Sequence, residues 1–175
     1  DINRHHYYFQ KYEVKDKNGN PRIIKFFKIF DGACESYMDW FHNTRGPAYL
    51  EFYENGNKKT EIYIIHDEIF RINGPAWLEY YESGNIKREE YRLQNIGFHN
   101  LDKPSIIEWY DNGQIKREEW YKNNKLWRKN APAIIEWYEN GQKKEEGYYK
   151  NGHLHRDTKG PRELIWDELG NYIKI

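Results

Sequence analysis

Proline and glycine recur along this chain in a fixed phase, and that recurrence constrains the fold more than any other feature. Pro47, Pro75, Pro104, Pro132 and Pro161 are separated by 28, 29, 28 and 29 residues. The glycines Gly56, Gly84, Gly113, Gly141 and Gly170 keep the same intervals. Two markers in phase over five copies define a tandem array whose unit is one small supersecondary motif. The 175 residues therefore divide into an N-terminal cap or degenerate repeat over 1–45, four repeats over 46–161, and a C-terminal capping half-repeat over 162–175.

Each unit reads as a β-hairpin. The runs 48–53, 76–81, 105–110, 133–138 and 162–167 follow the prolines and have strand character. They lead into Asn55-Gly56, Ser83-Gly84, Asn112-Gly113, Asn140-Gly141 and Leu169-Gly170. Asn-Gly between strands signals a type I′ hairpin turn, whose two central residues need positive φ. Second strands follow over 59–63, 87–91, 116–120 and 144–148, and links such as 123–130 and 151–160 run to the next proline. Aromatic residues make up 18% of the chain, 16 of them tyrosine, which favours strands over a helical bundle. One hairpin is marginal in water, so the units must bury their side chains against one another. The predicted fold is all-β: an elongated, twisted antiparallel sheet of tandem hairpins with a 28/29-residue period and atypical capping ends.

Alternation along the strands assigns two faces. Leu50, Leu78, Ile107, Ile135 and Leu164, with Phe52, Tyr80, Trp109, Trp137 and Trp166, form an aliphatic and aromatic ladder that reads as the core face, with Leu78, Trp109, Ile135 and Trp137 expected to be buried. The opposite face carries Glu51, Glu79, Glu108 and Glu136, followed by Tyr53, Tyr81, Tyr110 and Tyr138. On the second strands Lys59, Lys87, Lys116 and Lys144 recur, then Glu61, Glu89, Glu118 and Glu146, then Tyr63, Tyr91, Trp120 and Tyr148. The tyrosine row Tyr53, Tyr81, Tyr110 and Tyr138 is the candidate partner-binding strip, because tyrosine supplies contact area at small entropic cost. A second packed face of a curled sheet is the competing reading of the same row.

The pattern Gly-Pro-Ala, apolar residues, Glu, aromatic-Tyr, Glu-Asn-Gly, Lys, Glu, Tyr, then Asn-Gly-x-Leu-His-Arg spans about residues 46–170. Glu136-Trp137-Tyr138-Glu139-Asn140-Gly141 and Asn151-Gly152-His153-Leu154-His155-Arg156 carry it best. It resembles the MORN family, particularly the variant repeats of bacterial and large-DNA-virus proteins, some of them labelled antitoxin-like. The resemblance implies an elongated antiparallel sheet used for protein association, scaffolding or contact with lipid headgroups, and it brings no catalytic residues.

Other chemistries find little support. Lys plus Arg and Asp plus Glu both number 28, so bulk charge draws the chain toward neither nucleic acid nor an anionic membrane. Glu89-Glu90, Glu118-Glu119 and Glu145-Glu146 recur with the repeat, and neighbours on a strand point to opposite faces, so they read as solvated sheet charge rather than a catalytic acid pair. His5-His6 and His153-x-His155 have no Cys, Asp or His cluster beside them in sequence, although Asp157 is near the second pair, and they read as loop histidines at the surface rather than metal ligands. The lone Cys34 forms no internal disulfide and has no nucleophile context. Arg71, Arg128 and Arg156 close successive links and read chiefly as loop hydrogen-bond donors, with anion contact as the alternative. No catalytic, cofactor or metal site is assigned. With no apolar run long enough to span a bilayer, the expectation is an intracellular soluble protein.

The functional expectation is a non-enzymatic repeat scaffold that binds a protein or copies of itself, extending to a structural component of a virus particle or larger assembly. The alternative is a small regulatory module, antitoxin-like or binding lipid headgroups.

Overall fold

The computed structural model describes residues 7–30, 40–41, 43–100, 102–156 and 160–173. The expected residues Cys34, His5 and His6 lie outside them. Among the described residues there is no helix, and the hairpins follow one another in a single antiparallel sheet. Its strands come in the order Tyr7–Lys15, Pro21–Phe30, Tyr49–Phe52, Lys58–Ile62, Trp77–Tyr80, Ile86–Glu90, Ile106–Trp109, Ile115–Glu119, Ile134–Trp137, Lys143–Gly147, Glu163–Trp166 and Tyr172–Ile173. Trp40–Phe41 pairs beside Pro21–Phe30. The hairpin over 7–30 joins the repeats directly, through Ile23 opposite Glu51 and Ile24 opposite Leu50. At about 4.8 Å per strand, the twelve-strand path extends for about 50 Å.

Each long hairpin turns differently from the type I′ expectation. Gly56 donates its N–H to the Tyr53 carbonyl at 3.1 Å, and Tyr53 donates to the Asn57 carbonyl at 2.8 Å. Only the glycine has positive φ, +89° at Gly56 and +85° at Gly113, whereas Asn55 and Asn112 do not. This is a type I turn closed by a glycine bulge, the usual three-residue hairpin loop. Asn55 fits it because its side-chain oxygen accepts the Asn57 N–H at 2.9 Å, as Asn112 does for Gln114 and Asn140 for Gln142. A register shift accompanies this turn in the hairpin over 7–30 and in the four repeat hairpins, for example between Glu108 and Trp109.

The links are more ordered than loops. Ile64–Ile65 pairs with Glu68–Ile69, Arg92–Leu93 with Gly97–Phe98, Tyr121–Lys122 with Lys125–Leu126, and Tyr149–Lys150 with His153–Leu154. His66-Asp67, Asn123-Asn124 and Asn151-Gly152 all have positive φ, so the two-residue type I′ turns sit here. These short hairpins form a second ribbon, in which Asn124 donates to the Phe98 carbonyl and Gly152 to the Leu126 carbonyl, both at 2.9 Å.

The sheet is a single layer, so no face is sealed. Leu78 and Ile135 are buried as expected, but Trp109 and Trp137 are only half-buried, because no second sheet covers their rings. The buried apolar set also includes Ala48, Ala76 and Ala133, each directly after a repeat proline. On that face aliphatic and acidic residues alternate across the strands: Leu78 lies between Glu61 and Glu89, and Ile135 between Glu118 and Glu146.

Candidate functional site

The tyrosine row is built into the junctions between repeats. Each of these tyrosines occupies the first position of its turn, so its ring leans toward the next hairpin. The Tyr53 hydroxyl donates to the Tyr80 carbonyl, Tyr81 to Trp109 and Tyr110 to Trp137, each at 2.8 Å, and Tyr138 donates to Trp166 at 3.0 Å. All four rings are half-buried. Desolvation, reinforced by Asp111 and Glu108, pushes the Tyr81 phenol up from its ordinary pKa, and desolvation does the same at Tyr110. The row therefore combines partial exposure of its rings with hydroxyls already engaged. Asparagines at the turn tips add a parallel ladder, with Asn55 donating to the Glu82 carbonyl at 2.8 Å and Asn140 to that of Glu168 at 2.9 Å.

Beside the tyrosines lies a recurring charge pattern. Lys59 meets Glu51 at 2.7 Å, Lys87 meets Glu79 at 4.0 Å, Lys116 meets Glu108 at 3.7 Å and Lys144 meets Glu136 at 3.2 Å. Lys87 stands 5.8 Å from the Tyr81 ring centroid and Lys144 stands 6.0 Å from that of Tyr138. Such half-exposed pairs contribute little individually, about 0.2–1 kcal/mol, but they repeat one motif along the whole strip.

Of the glutamates expected to be solvated, Glu90 and Glu146 are buried and Glu89, Glu118, Glu119 and Glu145 half-buried, and Glu61 is buried as well. Glu61, Glu90 and Glu146 retain only 5%, 6% and 8% of their accessible surface, and a carboxylate at that depth needs charged partners. Glu90 has them in Arg88 and Arg92, whose guanidinium nitrogens reach it at 2.6–2.9 Å. Lys58 pairs with Glu61, and Lys143 meets Glu146 at 2.5 Å. Arg88 bridges onward to Glu108, and Arg117 joins Glu119 to Glu136. Burial opposes the charge on Arg88, yet its bonds to Glu90 and Glu108 outweigh that and raise its pKa. The buried carboxylates are thus held by cations two or three residues away in sequence, Arg88 and Arg117 tie Glu108 and Glu136 across strands, and the cleft bordered by Glu79, Glu90 and Glu108 is lined equally by Lys87, Arg88 and Lys116.

A second recurring feature lies where the long hairpins pass into the short ones. The guanidinium carbon of Arg71 sits 3.9 Å from the Tyr63 ring centroid, that of Arg128 sits 3.7 Å from Trp120, and that of Arg156 sits 4.3 Å from Tyr148. In the remaining repeat Lys103 fills the position, 3.9 Å from Tyr91. Two of the expected loop bonds are present, Arg128 donating to the Pro132 carbonyl at 3.4 Å and Arg156 to the Pro161 carbonyl at 2.9 Å. The spacing of the arginines flagged them in the sequence. Their stacking partners, and the equivalence of Lys103, were hidden because Lys103 directly precedes its proline whereas each arginine stands four or five residues before it.

A cleft of about 240 Å³ opens between two of these stacks, lined by Trp127, Arg128, Lys129, Tyr148, Lys150 and Arg156 among others. Among the described residues no carboxylate lines it. His155 also borders it, while His153 is exposed on the short hairpin.

Fold and surface together define a tandem β-hairpin array that presents the same side chains once per repeat. A family model described as MORN repeat variant matches residues 76–93, 106–123 and 134–151, each match running from the first strand of a repeat into its short hairpin. The chain thus carries three MORN-like repeats within residues 76–151. No curated protein and no solved structure showed significant similarity to it.

Proposed function

We propose that this protein is a non-enzymatic scaffold that binds an extended protein partner along its repeats. The observation that carries this reading is fourfold recurrence of one surface: a tyrosine, a Lys–Glu pair and a stacked cation in register, repeat after repeat. A catalytic site needs one distinctive constellation, whereas an array divides its binding energy among equivalent contacts. Repeats of this family commonly serve as binding scaffolds, which supports the same reading. The Tyr53, Tyr81, Tyr110 and Tyr138 row contributes to the surface with its ring faces, while its hydroxyls fix the spacing at which each repeat meets the partner. Membership of a virus particle or another large assembly is one setting for such a scaffold.

Chemical cross-linking of the full chain in an extract of its native source, read by mass spectrometry, tests this. The expected result is one partner cross-linked through equivalent lysines of at least three repeats, among them Lys87, Lys116 and Lys144. A partner attached at a single repeat, or a small-molecule turnover with no protein partner, overturns the proposal.

A further inference from the structure

Resting on the scaffold reading, we infer that the row of stacked cations Arg71, Lys103, Arg128 and Arg156 is the docking edge for an extended acidic protein segment carrying carboxylates at about every third residue. The spacing follows from the sheet. Tyr63, Tyr91, Trp120 and Tyr148 each follow the second strand of a hairpin, and those strands are two steps apart in the sheet order. Two steps of about 4.8 Å place successive cations roughly 10 Å apart. An extended chain in the polyproline II form rises about 3.1 Å per residue with about three residues per turn, so every third side chain of a segment laid across the repeats lies on one face and meets one cation.

The chemistry at each position suits a carboxylate. A guanidinium stacked on an aromatic face is held in one orientation while its edge N–H groups stay available for a bidentate acceptor. Arg71, Lys103 and Arg128 make no ion pair among the described residues, in contrast to Arg88, Arg92 and Arg117, which are fully engaged by glutamates. Arg128 is half-buried, and desolvation lowers its pKa despite the distant pull of Glu118. A desolvated cation of this kind gains from an incoming anion. Lys129 adds an exposed charge beside it, and among the described residues Asp102 is the one acid bordering the neighbouring clefts.

The partner is better described as an acidic peptide than as nucleic acid or a membrane surface. One nucleic-acid strand carries a charge about every 3.4 Å, so most of its phosphates would face no cation in this row. Arg71 and Arg128 are recessed between loops, where a protruding side chain reaches them more readily than a plane of headgroups. Aromatic walls such as Trp127 and Tyr148 give the cleft room for the residues between the carboxylates.

Fluorescence anisotropy with the full chain provides the test. The probe is a labelled synthetic peptide of about twelve residues with glutamate at every third position. A control of the same composition has its glutamates contiguous, and a phosphatidylserine vesicle and a single-stranded oligonucleotide serve as competitors. The spaced peptide is expected to bind several-fold more tightly than the contiguous one and to weaken in high salt. It should lose roughly tenfold in affinity when Arg71 and Arg128 are both changed to Gln. Because Arg128 also holds its loop, Lys103→Gln with Lys129→Gln is a second variant that leaves that loop bond intact and is expected to weaken binding several-fold. Equal binding of the two peptides, indifference to both double variants, or tighter binding of the vesicle or oligonucleotide overturns the inference. If the peptide fails while the native partner still cross-links across the repeats, this edge is wrong and the scaffold stands. If no partner cross-links, the scaffold itself falls.

Discussion

The hydroxyl of Tyr81 donates to the main-chain carbonyl of Trp109 in the following repeat at 2.8 Å. The same bond joins Tyr53 to Tyr80, Tyr110 to Trp137 and Tyr138 to Trp166. In a one-layer sheet with few sealed side chains, these latches supplement the strand ladder at each junction. Tyr110→Phe removes one donor and retains the ring, so it is expected to cost about 1 kcal/mol. Changing Tyr81, Tyr110 and Tyr138 together to Phe should cost roughly three times as much, since the sites are well separated. Urea unfolding midpoints measure both, and unchanged midpoints would show that the bonds add nothing to stability.

The latch is missing on the hairpin over 7–30. Asp16 holds the position that tyrosine holds in the repeats, with Gly19 donating to its carbonyl at 3.0 Å. Its carboxylate turns inward, accepting the N–H groups of Asn18 at 2.8 Å and Asn20 at 3.0 Å. Asp167 does the same in the last hairpin, where Asn171 donates to it. Both outer hairpins thus satisfy their own turns instead of reaching toward a neighbour. Backbone amides over 21–30 are accordingly expected to exchange with solvent roughly tenfold faster than those over 106–119. Mass-spectrometric hydrogen exchange reads this, and equal protection of the two segments would count against the latch as a source of local stability.

Glu145 breaks the charge pattern of its row. Arg88 and Arg117 fill the equivalent place in the two preceding hairpins, each tying two glutamates, whereas Glu145 lies directly across from Glu136. Burial, with Glu136 and Glu163 adding repulsion, raises its pKa. A raised carboxylate pKa means that the folded state holds the proton more tightly. Its contribution to stability is therefore present below the unfolded value and lost as pH rises through the folded one. At neutral pH the ionised group is a net cost, so Glu145→Gln should stabilise the protein by roughly 0.5 kcal/mol. A lower melting temperature for that variant at pH 7 would refute the assignment.

The repeat, the hairpins and the two faces could be read from the sequence because the proline and glycine spacing and the period-two alternation are local properties of the chain. The short hairpins could not, since 64–69 and 92–98 lack an Asn-Gly signal. Asn123-Asn124 and Asn151-Gly152 were the markers, and they stood inside segments that looked like links. The turn type was misassigned because Asn-Gly fits both a type I′ turn and a type I turn with a glycine bulge, and only the register of the flanking strands distinguishes them. That bulge also decides partners: it lets Lys58 reach Glu61 while adjacent Lys59 reaches Glu51. The expectation of buried tryptophans assumed a covering layer, which sequence periodicity does not reveal. The tyrosine row was visible as a pattern, but its hydroxyl acceptors are backbone carbonyls about 28 residues away and leave no mark in the sequence.

Three tyrosines outside that row, Tyr80, Tyr91 and Tyr121, make the fold sensitive to alkali. Desolvation, then the charge of Glu61, pushes the Tyr80 phenol up to about 12. Desolvation also raises Tyr91 and Tyr121, whose hydroxyls donate to Glu89 at 2.9 Å and to Glu119 at 2.7 Å. Those bonds exist only while the phenols are protonated. An unfolded tyrosine ionises near about pH 10, so between that value and the folded pKa the unfolded chain releases protons that the native state retains. Stability is then full below about pH 10 and falls as pH rises through the folded values. The melting temperature should hold steady from pH 8 to about 9.5 and drop steeply by about pH 11.5. Tyr91→Phe with Tyr121→Phe should lower the melting temperature at pH 8 but reduce the size of the alkaline drop, because two of the groups that ionise are gone. An unchanged drop in that double variant would place the alkaline transition elsewhere in the molecule.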